Sequence, residues 1–235
     1  MKGKIIVISG TDGCGKETQT KKLFNYLSEK NFEIRTQSFP NYESLSAGPV
    51  KMYMAGELGK NANLISPYQA SVLYAADRFC TMKKHEPFLK KGGLMLLDRY
   101  MESNLIHQAC KIDSNAEKQK FINWLNDFEF NVMKIPAPNL IIFLNMPPEI
   151  SMAFANKREN LKSGAKKDIH EQDPNHLINA YNNGIEIARK SGWTIIDCTE
   201  NGNVKTIDQI HKEIANEVNK FLKTEKVLKQ NNQEK

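Results

Sequence analysis

No run of about 18 apolar residues occurs anywhere in the chain, so no segment reads as a membrane-spanning helix. The opening Met1-Lys2-Gly3 leads into a short apolar run, Lys4 to Ser9. That run is too brief for a signal-peptide core and lacks a small-residue cleavage site behind it, so a cytoplasmic location is expected. Cysteine is scarce and scattered. Cys14, Cys80, Cys110 and Cys198 form no CxxC pair and have no histidine cluster beside them, which excludes a zinc site and a disulfide framework as expectations and leaves reduced thiols. An acidic excess is missing too: the 235 residues carry a net charge of +6, which suits either nucleic acid or small polyanions. Nucleic acid would call for lysine and arginine interleaved with exposed aromatics, and no such stripe is visible, so neither a nucleic-acid nor a membrane partner is expected. Internal repeats are also absent.

What the chain does contain is a regular alternation. Apolar runs fall at Lys4–Ser9, Glu33–Ser38, Leu94–Asp98, Leu140–Asn145 and Trp193–Asp197. Several are apolar at nearly every position (Ile5 to Ile8, Leu94 to Leu97, Leu140 to Leu144), the pattern of strands covered on both faces in a parallel sheet. Helical stretches lie between them. Ser66-Pro67 and Asp173-Pro174 each offer a cap followed by proline at the first helical position. Ser114 with Glu117, and Thr206 with Gln209, have capping-box spacing. These signals predict an α/β fold: a three-layer sandwich with a parallel sheet of about five strands, helices on both faces and right-handed crossovers. One domain is drawn over residues 1–222, followed by a polar tail, 223–235, without periodicity and expected to be disordered. A charged stretch at 156–172 interrupts the helical patterns. It reads either as a solvated connection or as a mobile basic lid over a phosphate site.

The first strand runs directly into Gly10-Thr11-Asp12-Gly13-Cys14-Gly15-Lys16. This is the G-x-x-x-x-G-K pattern in the strand–loop–helix context that a phosphate-binding loop requires. Glycines let successive backbone N–H groups turn toward phosphate oxygens, the helix N-terminus adds partial positive charge, and Lys16 reaches the β- and γ-phosphates. ATP is the ligand expected across Gly10 to Thr18. The hydroxyl residue that normally follows the lysine, and ligates Mg²⁺, is replaced here by Glu17, with Thr18 next in line.

A second constellation closes the third strand, where Leu94 to Leu97 end in Asp98-Arg99-Tyr100. Ligands of open α/β sheets bind beyond the carboxyl ends of the strands, so Asp98 and the glycine loop should face one crevice. An Asp at a strand end is also a common helix cap.

The ordered set Gly10 to Gln19, Phe39-Pro40, Ala75-Ala76-Asp77-Arg78 and Asp98-Arg99-Tyr100 with Ser103 and Gln108 resembles the thymidylate kinase family, from about residue 3 to residue 222. The resemblance implies transfer of the γ-phosphoryl group of ATP, with Mg²⁺, onto dTMP in dTTP biosynthesis, by a P-loop kinase that forms a homodimer. It assigns Lys16, Arg99, Asp98 and Arg158 to catalysis. Asp12 would accept a hydrogen bond from the substrate 3′-hydroxyl, Arg78 and Arg99 would clamp the monophosphate, and Tyr74 would stack on the base. Gln108 would read the base edge, Phe39 would border the base pocket, and Ser103 belongs to the same substrate-binding set. The metal ligands stay open, with Thr18 or Asp98, through water, as the candidates. The family also implies a dimer surface on the early helices, Ser44–Leu58 and Ser66–Lys90.

Three departures accompany the resemblance. Tyr42 stands where many relatives carry an arginine on the monophosphate. His107 replaces the more usual Tyr or Phe. The glycine loop has Gly13-Cys14 and no arginine, which moves the search for a γ-phosphate cation to the lid, to Arg158, Lys162, Lys166 or Lys167. Other readings stay open at this stage. Arg78 and Arg99 argue for an acceptor-phosphate site, because arginines flanked by apolar residues are costly to bury without an anion. Gln108 can flip its amide, so a kinase for dUMP or a modified pyrimidine is the alternative. Glu17 would suit a non-catalytic ATP-binding regulator.

Overall fold

The structure, a computed structural model, describes residues 3–59, 64–161 and 174–231. The fully apolar runs become the middle of a parallel sheet. Its strands are β1 (Lys4–Ser9), β2 (Ile34–Ser38), β3 (Leu94–Asp98), β4 (Leu140–Asn145) and β5 (Thr194–Asp197), in the order β2-β3-β1-β4-β5. β1 is central, with Ile5 opposite Met95 and Ile6 opposite Leu140. Ile5 to Ile8 are at most 1% exposed, as a strand covered on both faces requires. β2 lies at the edge, and several of its side chains reach solvent.

Helices cover both faces. On one face, α1 (Lys16–Glu29) and α8 (Ile207–Asn231) set Leu23, Leu27, Ile210, Ile214 and Val218 against Ile6, Ile8 and Leu144. On the other, α3 (Pro67–Lys90) and α5 (Asn115–Asn126) set Met82, Leu89, Phe121 and Leu125 against Ile5, Val7 and Met95. The caps at Ser66, Ser114 and Thr206 fall where the sequence puts them, and Asp173 lies outside the described residues. The Ser66 hydroxyl accepts from Gln69 N (3.2 Å) and Gln69 Oε1 accepts from Ser66 N (3.0 Å). Thr206 and Gln209 close the same box on α8. Ser114 accepts from Glu117 N at the start of α5. No described helix is long and apolar enough to cross a membrane.

Several boundaries differ from the sequence-based expectation. β2 and β5 each start one residue later than drawn. The stretch Ser44–Leu58 is not one helix: a 3-10 turn, Leu45–Ala47, precedes α2 (Gly48–Met54), because Gly48-Pro49 restarts the backbone. The helical backbone of α8 runs to Asn231, past the end drawn at residue 222, and Glu225 pairs with Lys4. Lys, Glu and Leu propagate a helix already started on the core without needing an apolar stripe of their own. Residues 232–235 lie outside the described residues.

The charged stretch is flanked by α6 (Pro148–Leu161) and α7 (Pro174–Lys190). Lys162, Lys166 and Lys167 lie outside the described residues. Arg158 falls on the backbone of α6, and its side chain is not among those described.

Candidate active site

The glycine loop bends where only glycine fits. Gly10, Gly13 and Gly15 have φ of 141°, 80° and 93°. A Cβ on Gly10 would lie 2.6 Å from Cys14 Sγ and 3.0 Å from the Leu144 carbonyl oxygen. Lys16 opens α1, is 6% exposed and donates to the Thr11 carbonyl (2.6 Å). Gly15, at the N-cap, brings no side chain to the first turn, whose N–H groups stay available to an anion.

The third strand brings its carboxyl end alongside. Arg99 N donates to Ile8 O (3.1 Å), and Phe39 N donates to Asp98 O (3.0 Å), which stitches the β1, β2 and β3 ends together. Arg99 pairs with Asp12 inside the loop. Burial opposes charge on Asp12, but Arg99 and then Lys16 outweigh it and hold the carboxyl well below the usual range. Burial likewise works against the Arg99 guanidinium, and Asp12 and Asp98 keep it firmly charged. Asp98 Oδ1 is buried and has no hydrogen-bond partner among the described residues.

These groups line one cavity of about 990 Å³. At one end are Tyr74, Arg78, Ser103 and Gln108, as expected from sequence, together with Met54, Asn104 and His107. Gln108 is 1% exposed, and its Oε1 has no partner among the described residues. Tyr74 donates to Met54 Sδ (3.0 Å) and meets the Tyr53 ring edge-on. Phe39 lines the cavity while packing on Tyr100. Tyr42 also lines it, half exposed, and His107 stacks on His176 of α7 at 5.9 Å. Val204, Lys205, Thr206, Ile207 and Ile210 also line the cavity. Glu17 and Thr18 line it as well: Glu17 pairs with Lys21 (2.7 Å), and Thr18 is exposed in the first turn of α1.

Arg78 lines the cavity and is also paired within the protein. Its Nε donates to Glu129 Oε2 (2.8 Å) and its Nη2 to Oε1, while Nη1 lies 3.5 Å from the Tyr100 carbonyl. The anion that burial demands is thus supplied by the protein. Glu129 sits in a π-helical turn, Asp127–Val132, and is 0% exposed. Its signal was visible: a carboxylate between Phe128 and Phe130 is costly to bury unless paired. Asn104 was also legible, four residues before Gln108 on one short helix, α4 (Glu102–His107), and its continuation. Val204, Lys205, Thr206, Ile207 and Ile210 carried no local signal of a binding site, only the helix cap at Thr206.

The Thymidylate kinase family profile matches residues 8–214. The chain belongs to the thymidylate kinase family. A thymidylate kinase from Plasmodium falciparum is 27% identical over 220 residues, covering 94% of this chain and 91% of the relative. One from Thermoanaerobacter sp. (strain X514) is 34% identical over 160 residues, covering 68% and 73%. One from Prochlorococcus marinus is 31% identical over 220 residues, covering 91% and 95%. A solved thymidylate kinase from Candida albicans shares the fold, with a TM-score of 0.68 at 24% identity, covering 94% of this chain and 93% of that one. As a member of the thymidylate kinase family the chain is a nucleotide kinase, and the P-loop, the Asp98 turn and the Gln108 end form one continuous site.

Proposed function

We propose that this chain transfers the γ-phosphoryl group of ATP to dTMP, giving ADP and dTDP. One observation carries the reading: a single cavity holds the phosphate loop with Lys16 and, across the Asp12–Arg99 pair, an end lined by Tyr74 and the unpartnered Gln108 amide oxygen. Donor and acceptor phosphates can therefore meet in one line, which is most of what phosphoryl transfer asks of a protein.

In this reading Lys16 and the loop N–H groups hold the β- and γ-phosphates. Val204 and Ile207, both partly exposed, give the adenine an apolar edge. Arg99 binds the acceptor phosphate. Asp12 stays ionised, held so by Arg99 and Lys16, and accepts a hydrogen bond from the 3′-hydroxyl. Tyr74 stacks on the base, Gln108 and Asn104 meet its edge, and Phe39 and Ser103 border it. Arg78, held by Glu129, walls the same end. The attacking group is already a phosphate oxygen, so no general base is needed. Arg158 on α6 is the proposed lid cation.

The metal of the family, taken here as Mg²⁺, fits the residues present. The unpartnered Asp98 Oδ1 suits a water-mediated metal contact, with the Thr18 hydroxyl in place of the position that Glu17 occupies. The ion supplies charge neutralisation to the β- and γ-phosphates.

The exposed apolar side chains Leu45, Met52, Leu58, Tyr68 and Val72 on and around α2 and α3 support a homodimer through this face. Four free thiols support a reducing, cytoplasmic compartment.

The test is coupled ADP release with ATP and Mg²⁺ against dTMP, dUMP, dCMP, dGMP and dAMP. The expected order is dTMP first and dUMP second. A thymine methyl in an apolar pocket separates them by roughly 10–200-fold. Turnover led by another monophosphate would overturn the thymine assignment. ATP binding without acceptor-dependent ADP would overturn the kinase reading.

A further inference from the structure

The turn Asp98-Arg99-Tyr100 holds a conformation that needs support from outside itself. Arg99 has φ of 65°, the left-handed region that side chains of L residues avoid. Its own N–H is tied to Ile8 on β1. The next N–H, that of Tyr100, donates to Oε1 of Glu102 at 2.8 Å. Glu102 is 0% exposed, and nothing among the described residues bonds to its Oε2. Tyr100 is itself fully buried, with its hydroxyl donating to the Pro136 carbonyl (2.9 Å). A carboxyl is a costly way to fill buried space, and an aliphatic side chain would fill it more cheaply. What an aliphatic side chain lacks is an acceptor for the Tyr100 N–H.

We propose that Glu102 is a positioning residue for the acceptor-phosphate arginine: its buried carboxyl accepts the Tyr100 N–H and thereby fixes the left-handed turn that aims Arg99 into the site. The inference rests on the reading of Arg99 as the acceptor-phosphate contact. Glu102 touches neither substrate in this scheme; it acts through the backbone on the residue that does.

The same carboxyl brings a titration into the neutral range. Burial pushes it up to about 7, against the pull of the Glu102 and Tyr100 backbone N–H groups and of Arg78. Facing it are Ser9 at the end of β1, Tyr100 in the turn and Arg78 on α3. Arg78 is already committed to Glu129 of the π-helical turn. Both the acid and the carboxylate can accept the Tyr100 N–H, so the turn survives titration. The carboxylate, however, adds negative charge behind a cavity that must bind an anion, and the rate should fall as pH rises through about 7.

The full-length chain with Glu102→Gln, Glu102→Ala or Arg99→Ala is assayed for ADP release from about pH 6 to about pH 9. Glu102→Gln keeps an acceptor oxygen and cannot ionise. Its kcat should stay within about threefold of wild type, and its rate profile should lose the alkaline inflection near neutrality. The inflection that belongs to the substrate phosphate should persist in both proteins, so the difference between the profiles isolates Glu102. Glu102→Ala leaves the Tyr100 N–H buried without an acceptor. Its KM for dTMP should rise and its kcat fall roughly tenfold while KM for ATP is unchanged, an acceptor-side split that a smaller folded fraction, which lowers kcat alone, would not produce.

A wild-type kcat in Glu102→Ala overturns the proposal, as does a Glu102→Gln kcat as low as that of Glu102→Ala, since glutamine keeps the acceptor oxygen. If Glu102→Ala does not fold, the kcat of Glu102→Gln decides alone: retained within about threefold it supports the proposal, and lost it overturns it. An active Arg99→Ala removes the reading of Arg99 and the proposal with it. An inactive Arg99→Ala beside an unaffected Glu102→Ala removes only the proposal.

Discussion

Replacing Glu129 with leucine removes the anion that a buried arginine depends on. Glu129 is 0% and Arg78 2% exposed, and two guanidinium nitrogens meet the two carboxylate oxygens. Burial alone would discharge Arg78, and Glu129 reverses that and raises its affinity for the proton. Removing one partner of such a pair costs about 3–5 kcal/mol, because the remaining charge stays in a dry site. A domain of this size loses about 2–4 °C of Tm per kcal/mol. Glu129→Leu should therefore melt roughly 6–20 °C below wild type. Arg78→Met combined with Glu129→Leu removes both charges at similar volume and should recover most of that loss. Function would not recover with it: Arg78 walls the Gln108 end of the cavity, so the double variant should show a raised KM for dTMP and an unchanged KM for ATP. Thermal and urea unfolding of wild type, Glu129→Leu, Arg78→Met and the double variant give the coupling energy directly. A single variant within about 1 kcal/mol of wild type would refute the reasoning, as would a double variant no more stable than Glu129→Leu.

Gly10→Ala should abolish ATP binding measured by calorimetry, and adding Cys14→Ala should not rescue it. The Leu144 carbonyl oxygen still lies 3.0 Å from the new Cβ, and φ remains at 141°. Gln108→Leu should lower kcat/KM for dTMP by roughly 10–100-fold at constant KM for ATP, since a buried base edge loses its hydrogen-bond partner; an unchanged value would remove Gln108 from the base site. Asp12 titrates below its ordinary range in the folded protein, so its pairing stabilises the fold above about pH 4 and is lost as pH falls below that. Asp12→Asn should flatten the acid limb of stability measured by urea unfolding. It should also raise KM for dTMP while leaving KM for a 3′-deoxy analogue unchanged; equal effects on both would show that Asp12 does not touch the 3′-hydroxyl.

Strand placement was legible because burial on both faces leaves a local trace. Leu94 to Asp98 and Leu140 to Asn145 are apolar almost without interruption, and both strands begin and end where those runs do. Helix starts were legible for the same reason: the Ser66–Gln69 and Thr206–Gln209 boxes close within one turn. The phosphate loop was the clearest signal, since its glycines, lysine and flanking strand and helix are contiguous in the chain.

The end of α8 was misjudged because helix continuation past residue 222 depends on the core contacts made earlier in that helix, which a polar stretch does not display. Arg78 looked as though it awaited a ligand anion, yet Glu129, 51 residues away, supplies one. The Asp12–Arg99 pair spans 87 residues, and it joins the donor loop to the acceptor side only once β1 and β3 lie next to each other. Residues 204–210 join the site only because α8 packs along α1. By itself the sequence determined the elements and the phosphate loop, whose interactions close within a strand, a turn or a helix. The tertiary structure decided which charges pair and which distant residues wall the cavity, because those contacts exist only after helices pack on the sheet.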